Sequence, residues 1–330
     1  MMAINSPDVV LSCNNLGAGY SIKAGYVKAV DGVSFEIRRG EFIGIAGESG
    51  CGKSTLAYAI MRLLKDNAGI SEGEIIFKGK NITRISGEKM RSIRWADISM
   101  VFQSAMNALN PVMTVGEQLL DAMLAHKHIS RKEARKRALE MLRLVDISQE
   151  RFDAFPHQLS GGMRQRVIIA MALLLQPELV IMDEPTTALD VVVQRTIIEK
   201  VQELKDVFGF SVIFITHDLS LLVEITNRLA IMYAGRFVEF GPAEAIFLEP
   251  LHPYTRGLMS SFPSLTGPIT RKGGIEGKPP DLLNPPKGCR FGPRCSDRVD
   301  RCISAYPDYI EARPGHYVAC HLQEGVRNEK

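Results

Sequence analysis

The 330-residue sequence is short of several things, and each shortage removes a class of function. It has little excess charge: 40 Lys and Arg against 37 Asp and Glu leave a net +3. With no dense basic stripe either, nothing electrostatic points to nucleic acid or an anionic membrane as a partner. It has no long apolar run. The longest uncharged one, VIIAMALLL, covers the nine residues Val167–Leu175, whereas a bilayer-spanning helix needs about 20. The start, MMAINSPDVV, lacks the basic-then-apolar pattern of a signal peptide. A cytosolic chain is therefore expected, and reduced cytosol disfavours disulfides among its six cysteines. Internal repeats and low-complexity tracts are absent as well.

Apolar residues make up 45% of the chain, enough for a sizeable core. Residues 10–48 read as strands, with SFEIRR alternating and EFIGIAG a short buried run. STLAYAIMRLLK reads as a helix, and residues 74–102 return to strands around EIIFKG and ISMVF. From about 104 to 160 the pattern is helical. Ser130 and Glu133 have capping-box spacing, and Ala134, Ala138, Met141, Leu142 and Val145 line one face of the helix that follows. Helices and strands then alternate through ELVIMDE and FSVIFITH, as in a mostly parallel α/β sheet. Nine of the 17 prolines lie beyond residue 262, so 263–288 reads as an extended linker.

Gly47-Glu-Ser-Gly-Cys-Gly-Lys-Ser54 fits G-x-x-x-x-G-K-[ST] between a strand and a helix. Glycines at Gly47, Gly50 and Gly52 let backbone N–H groups turn toward phosphate oxygens, and a helix N-terminus adds its dipole. Lys53 reaches the β- and γ-phosphates, and Ser54 offers a hydroxyl to Mg²⁺. LVIMDE is a buried strand that delivers Asp183 to Mg²⁺ and places Glu184 to polarise the attacking water. Taken alone, it reads equally as a core strand running into a solvated loop. Gln103, His217 and Tyr20 are weak signals individually. LSGGMRQR, Leu159–Arg166, opens a helix with a serine and two glycines, a second phosphate-binding surface in the same chain.

In this order GESGCGKST, Gln103, LSGGMRQR, ELVIMDEP, TALD and the histidine of ITHD resemble the ATP-binding subunits of ABC transporters, over about residues 10–262. The resemblance implies a P-loop α/β ATPase core with a β-subdomain and a helical subdomain at about 104–160. It implies ATP and Mg²⁺ held by Gly47, Ser49, Gly50, Cys51, Gly52, Lys53, Ser54 and Thr55, with Gln103 and Asp183 on the metal. Glu184 would be the base, and His217 the switch residue on the γ-phosphate. Tyr20 would stack on adenine, with Tyr26 as its substitute. Ser160, Gly161 and Gly162 would contact ATP on an opposing subunit, and Asp190 would sit in the dimer-bridging loop. Met163 and Thr187 depart from the family's common glutamine and serine without removing a phosphate ligand.

FLEPLHPYTRGLMSSFPSL, Phe247–Leu265, and the cysteine region after it resemble the C-terminal extension of oligopeptide and dipeptide importer ATPases. That implies two transmembrane permease subunits and a second ATPase or a second copy of this chain. It also implies an extracytoplasmic binding protein, a peripheral position on the cytoplasmic face of the membrane, and no nucleic acid. The domains would be 1–262, nucleotide-binding, and 263–330, an extension. Cys289, Cys295, Cys302 and Cys320 are spaced too widely for the close pairs of structural zinc sites, and the subfamily implies a [4Fe–4S] cluster. Zinc and metal-free thiols stay open. Few apolar residues are visible in the tail, so a metal would fold what a core does not. The rival reading is an ABC-type ATPase of repair or translation with a zinc module. Only 56 residues separate Gln103 from Ser160, too few for a repair-type coiled coil.

Overall fold

The computed structural model describes residues 8–103, 108–187, 189–260 and 274–328. Residues 104–107 of the expected helical segment, and 261–273, which include the first part of the expected linker at 263–288, lie outside them. The chain divides into two compact units. The first is Met1–Leu11, Ile37–Glu41 and Phe77–Phe214; the second is Ser12–Glu36, Phe42–Ile76 and Ile215–Lys330.

Along the chain come β1 (Val9–Ile22), β2 (Gly25–Arg38), β3 (Phe42–Ala46), helix α1 (Lys53–Ile60) and β4 (Ala68–Phe77). Within the second unit β1 lies between β2 and β4. All five residues of β3 are buried, as its unbroken apolar run requires.

The chain then builds the first unit from β5 (Lys80–Asn81), α2 (Gly87–Ile93), β6 (Ile98–Val101), α3 (Val115–Leu124), α4 (Arg131–Leu144), α5 (Gly161–Leu173), β7 (Leu179–Asp183), α6 (Val191–Phe208) and β8 (Ser211–Ile215). The strand order is β8-β7-β6, with β6 and β7 parallel and Ile98 opposite Leu179. Ala134, Ala138, Met141, Leu142 and Val145 are all buried, as the sequence spacing predicts. The Ser130 hydroxyl accepts the Glu133 N–H at 3.1 Å, but only half of the expected capping box forms. Glu133 turns instead to Arg137, one helical turn on, at 2.9 Å. The complete box is at Thr114 and Glu117, which start α3. Helix α2 interrupts the stretch read as strands. Ser86 caps it and Glu88 lies in its first turn, a start signal that the flanking strand pattern hid.

Back in the second unit come α7 (Leu219–Ile225), β9 (Arg228–Tyr233), β10 (Arg236–Pro242), α8 (Ala243–Leu248), α9 (Pro253–Ser260), α10 (Arg301–Ser304), β11 (Tyr309–Arg313) and β12 (His316–Ala319). Their order with β3 is β11-β12-β10-β9-β3. β3 pairs parallel with β9, and the other three pairings are antiparallel. The sheet is thus mixed, and the tail extends it by two strands that no sequence signal announced. Among the described residues no helix is long and apolar enough to cross a membrane.

Gly116 on α3 lies so close to Phe152 that a Cβ there would meet the ring at 2.1 Å. Gly116→Ala therefore overpacks the helical part of the first unit. The expected loss is about 2 kcal/mol, read from the urea midpoint at constant slope.

Candidate functional site

The phosphate loop belongs to the second unit, between β3 and α1. Gly47, Gly50 and Gly52 all have positive φ, at 151°, 77° and 112°. At two of them the reason is also space. A Cβ on Gly47 would lie 2.1 Å from the Met232 carbonyl oxygen, and one on Gly52 would lie 2.1 Å from that of Ala29. The loop thus runs against the backbones of β9 and β2. The Cys51 N–H donates to the Glu48 carbonyl at 3.2 Å, closing the turn. Gly52 caps α1 without any side-chain bond, so the first N–H groups of the helix stay aimed into the loop. Lys53 is buried and its Nζ donates to the carbonyls of Gly47 at 2.7 Å and Glu48 at 3.1 Å. Its charge therefore sits in the concavity of the loop. Ser49 and Gly50 are exposed, and Cys51 is buried. Burial pushes the Cys51 thiol up despite neighbouring Lys53, so it behaves as a small core residue.

Tyr20, on β1, is half-buried, and its hydroxyl hydrogen-bonds the Thr55 hydroxyl at 3.0 Å. This ties the expected stacking residue to the helix that follows the phosphate loop. Tyr26 is 41% exposed and stands over Gly19. His217 is exposed just beyond β8, ahead of α7, whose N-cap is Asp218.

The acidic residues belong to the first unit. Asp183 ends β7 and is fully buried. Glu184 follows with φ of +46°, a left-handed conformation that a residue with a Cβ adopts only at a cost of about 1–3 kcal/mol. Thr187 holds it there. Its N–H donates to the Glu184 carbonyl at 3.3 Å, and its hydroxyl reaches both that carbonyl and the carboxylate at 3.1 Å. Gln103 Nε2 donates to the same carboxylate at 3.2 Å. The structure thus joins Gln103, Glu184 and Thr187, and Thr187 is the member that sequence reasoning passed over as a neutral departure.

Ser160 and Asp190 prove to be helix caps. Ser160 Oγ accepts the Met163 N–H at 3.3 Å to start α5, and Asp190 Oδ1 accepts the Val193 N–H at 2.9 Å to start α6. A Cβ on Gly162 would strike Val193 at 2.7 Å, so glycine keeps the two helix starts together. Val191 and Val192, next to Asp190, are 81% and 76% exposed, an unusual position for adjacent apolar side chains.

In the tail all four cysteines are free; Cys295 is half-buried and the other three buried. Burial pushes up the thiols of Cys289, Cys295 and Cys320, the last to about 11, and the neighbouring cysteines add to the shift. Cys320 packs beside Leu251 and Val318. Among the described residues no group of three or more His, Cys, Asp or Glu side chains is arranged to hold a metal ion. The expectation that Cys289, Cys295, Cys302 and Cys320 hold a [4Fe–4S] cluster or zinc therefore finds no support. The premise that the tail lacks a core also needs correction. Phe291 packs against Tyr233, Tyr254 and His252 with ring centroids at 5.3, 5.4 and 5.7 Å. β12 pairs with β10, and buried Arg290 is ion-paired with buried Asp31 and bonded to the Ala234 carbonyl.

The contacts of Thr187 generate a test. Thr187→Val removes the hydroxyl that orients Glu184, and ATP turnover is expected to fall about tenfold at unchanged KM for ATP, a part of the ~10²–10⁴-fold that a positioned base supplies. Thr187→Ser keeps the hydroxyl and the rate. Steady-state ATPase kinetics decide it.

Comparison with known proteins agrees with this geometry. Residues 30–187 match the ABC transporter family, and residues 238–302 match the C-terminal region of oligopeptide/dipeptide transporters. The dipeptide transport ATP-binding protein DppD of Bacillus subtilis is 48% identical over 318 residues, covering 96% of this chain and 95% of its own. The oligopeptide transport ATP-binding protein OppD of Escherichia coli is 44% identical over 321 residues, covering 97% and 95%. Among solved structures, a dimeric ATP-binding cassette in a post-hydrolysis state bound to ADP and Pi superposes with a TM-score of 0.63 at 30% identity, over 71% of this chain and 98% of that one. With near-full-length relatives, a phosphate loop locked by its glycines and a matching C-terminal region, the chain belongs to the ATP-binding subunits of ABC transporters, in the group that carries the oligopeptide/dipeptide C-terminal region.

Proposed function

We propose that this chain is the ATP-hydrolysing motor of a di- or oligopeptide importer, peripheral on the cytoplasmic face of the membrane. The observation that carries the reading is the likeness to a dipeptide transport ATP-binding protein over 96% of the chain, tail included. The rival repair or translation ATPase has no such support. Residues 1–262 form the nucleotide-binding part and 263–330 the extension. The partners are two permease subunits, fed by an extracytoplasmic binding protein, and a second ATPase that is a homologue or another copy.

The roles follow from the chemistry of each residue. Gly47, Ser49, Gly50, Cys51, Gly52 and Thr55 present backbone N–H groups and the helix start to the phosphates of ATP, and Lys53 adds the charge. Tyr20 stacks on the base. Ser54, Gln103 and Asp183 carry the hard oxygen donors that Mg²⁺ takes, and buried Asp183 suits a cation that neutralises it. Mg²⁺, when bound, offsets charge on the β- and γ-phosphates. Glu184 takes the proton of the attacking water, and His217 contacts the γ-phosphate. Ser160, Gly161 and Gly162 meet the ATP of the opposing subunit, with Asp190 at the junction. Exposed Val191 and Val192 support an apolar contact there.

Glu184→Gln removes the base and keeps the phosphate ligands. The expected result is an ATP-bound dimer on size-exclusion chromatography and turnover lowered at least ~100-fold. Hydrolysis at the wild-type rate would sink the assignment. A [4Fe–4S] cluster in the tail is a separate proposal, supported only by four free thiols within one C-terminal segment and by the resemblance of that segment. Iron and sulfide near four each per chain, after anaerobic purification, support it; neither element, or zinc alone, removes it.

A further inference from the structure

The second residue of the phosphate loop, Glu48, is held from outside the loop. Its carboxylate accepts two parallel bonds from the Arg294 guanidinium, at 2.8 and 2.9 Å. Its backbone N–H donates to the Tyr254 hydroxyl at 2.9 Å. Its carbonyl accepts the Cys51 N–H and the Lys53 ammonium. Both outer partners come from the C-terminal region. Tyr254 lies in the first turn of α9, and Arg294 lies between Cys289 and Cys295.

Neither contact is incidental. The Arg294 side chain is 6% exposed, and its remaining N–H groups reach the Tyr233 hydroxyl and the carbonyls of Glu276 and Ile275 at 3.2, 2.8 and 3.2 Å. All five donors are used, a geometry lysine cannot copy. The turn that carries Tyr254 is itself fixed. Buried Glu239 accepts the N–H groups of Leu251 and His252, at 2.8 and 2.9 Å, and the ring of His316 on β12 at 2.7 Å. The His252 ring in turn accepts the Tyr254 N–H at 3.0 Å.

The geometry points to Arg294 and Tyr254 as positioning residues of the ATP site: the C-terminal region from α9 onward sets the phosphate loop through Glu48. Two effects combine. Tyr254 fixes the path of the backbone at Glu48, and with it the carbonyl on which Lys53 rests. Arg294 neutralises a carboxylate that otherwise stands in the loop meant for a polyphosphate anion. The start of α9 and the arginine of the cysteine region then act on nucleotide affinity, whatever cargo is moved.

This inference rests on the ATPase reading, and the test separates the two. ATPase kinetics are measured on the full chain. For Arg294→Ala, KM for ATP is expected to rise about tenfold with kcat within twofold, since a bidentate charged pair is lost and Glu184 is untouched. Arg294→Lys falls between it and wild type. Tyr254→Phe keeps the ring packing, loses only the acceptor, and raises KM about threefold. Adding Glu48→Gln to Arg294→Ala removes the stranded charge and recovers most of the affinity, which a merely structural role for Arg294 would not produce. If KM stays within twofold of wild type in both Arg294→Ala and Tyr254→Phe, the proposal fails. It also fails if Glu48→Gln brings no recovery. A wild-type chain that does not hydrolyse ATP overturns the earlier reading instead.

Discussion

The second unit depends on the close approach of backbone to backbone at the phosphate loop. Two carbonyl oxygens, of Ala29 on β2 and Met232 on β9, stand where the Cβ atoms of Gly52 and Gly47 would be. No side chain fits at either place, so the loop follows a path that only glycine allows at these two positions. The glycines therefore serve the fold and the phosphate site with the same absence of a Cβ. Lys53 rests on the carbonyls of Gly47 and Glu48.

The first unit uses a different device for the same chemistry. Its acidic strand ends in one fully buried carboxylate, Asp183, and one forced into the left-handed region, Glu184. Strain of this kind persists only where neighbours over-determine it. Thr187 and Gln103 supply that restraint from two separate segments.

The motifs were legible because their physics is local. The phosphate loop needs glycine at fixed spacing, the acidic strand needs an apolar run ending in acid, and α4 shows its buried face in its periodicity. What escaped depends on distant partners. Helix α2 was hidden because seven residues between strands give too short a period to see. Thr187 looked neutral because its value lies in a bond to Glu184 that only the fold reveals. The tail misled most. Its prolines and scattered cysteines suggested a segment without a core, yet it shares the core of the second unit. Phe291 enters an aromatic cluster, β12 joins a sheet, and Arg290 neutralises Asp31. Such contacts have large sequence separation and leave no periodic trace.

The pairing of β12 with β10 has one more consequence. Glu239 and Phe240 of β10 face Val318 and Tyr317 of β12 in a ladder that closes one side of the strand. A chain cut by a protease or stopped by a nonsense codon before β11 would leave that side of β10 as a row of bare amides and carbonyls. It would also leave a buried glutamate, Glu239, without the histidine it faces. Such an edge seeks another strand. Loss of the last residues is therefore a hazard of self-association.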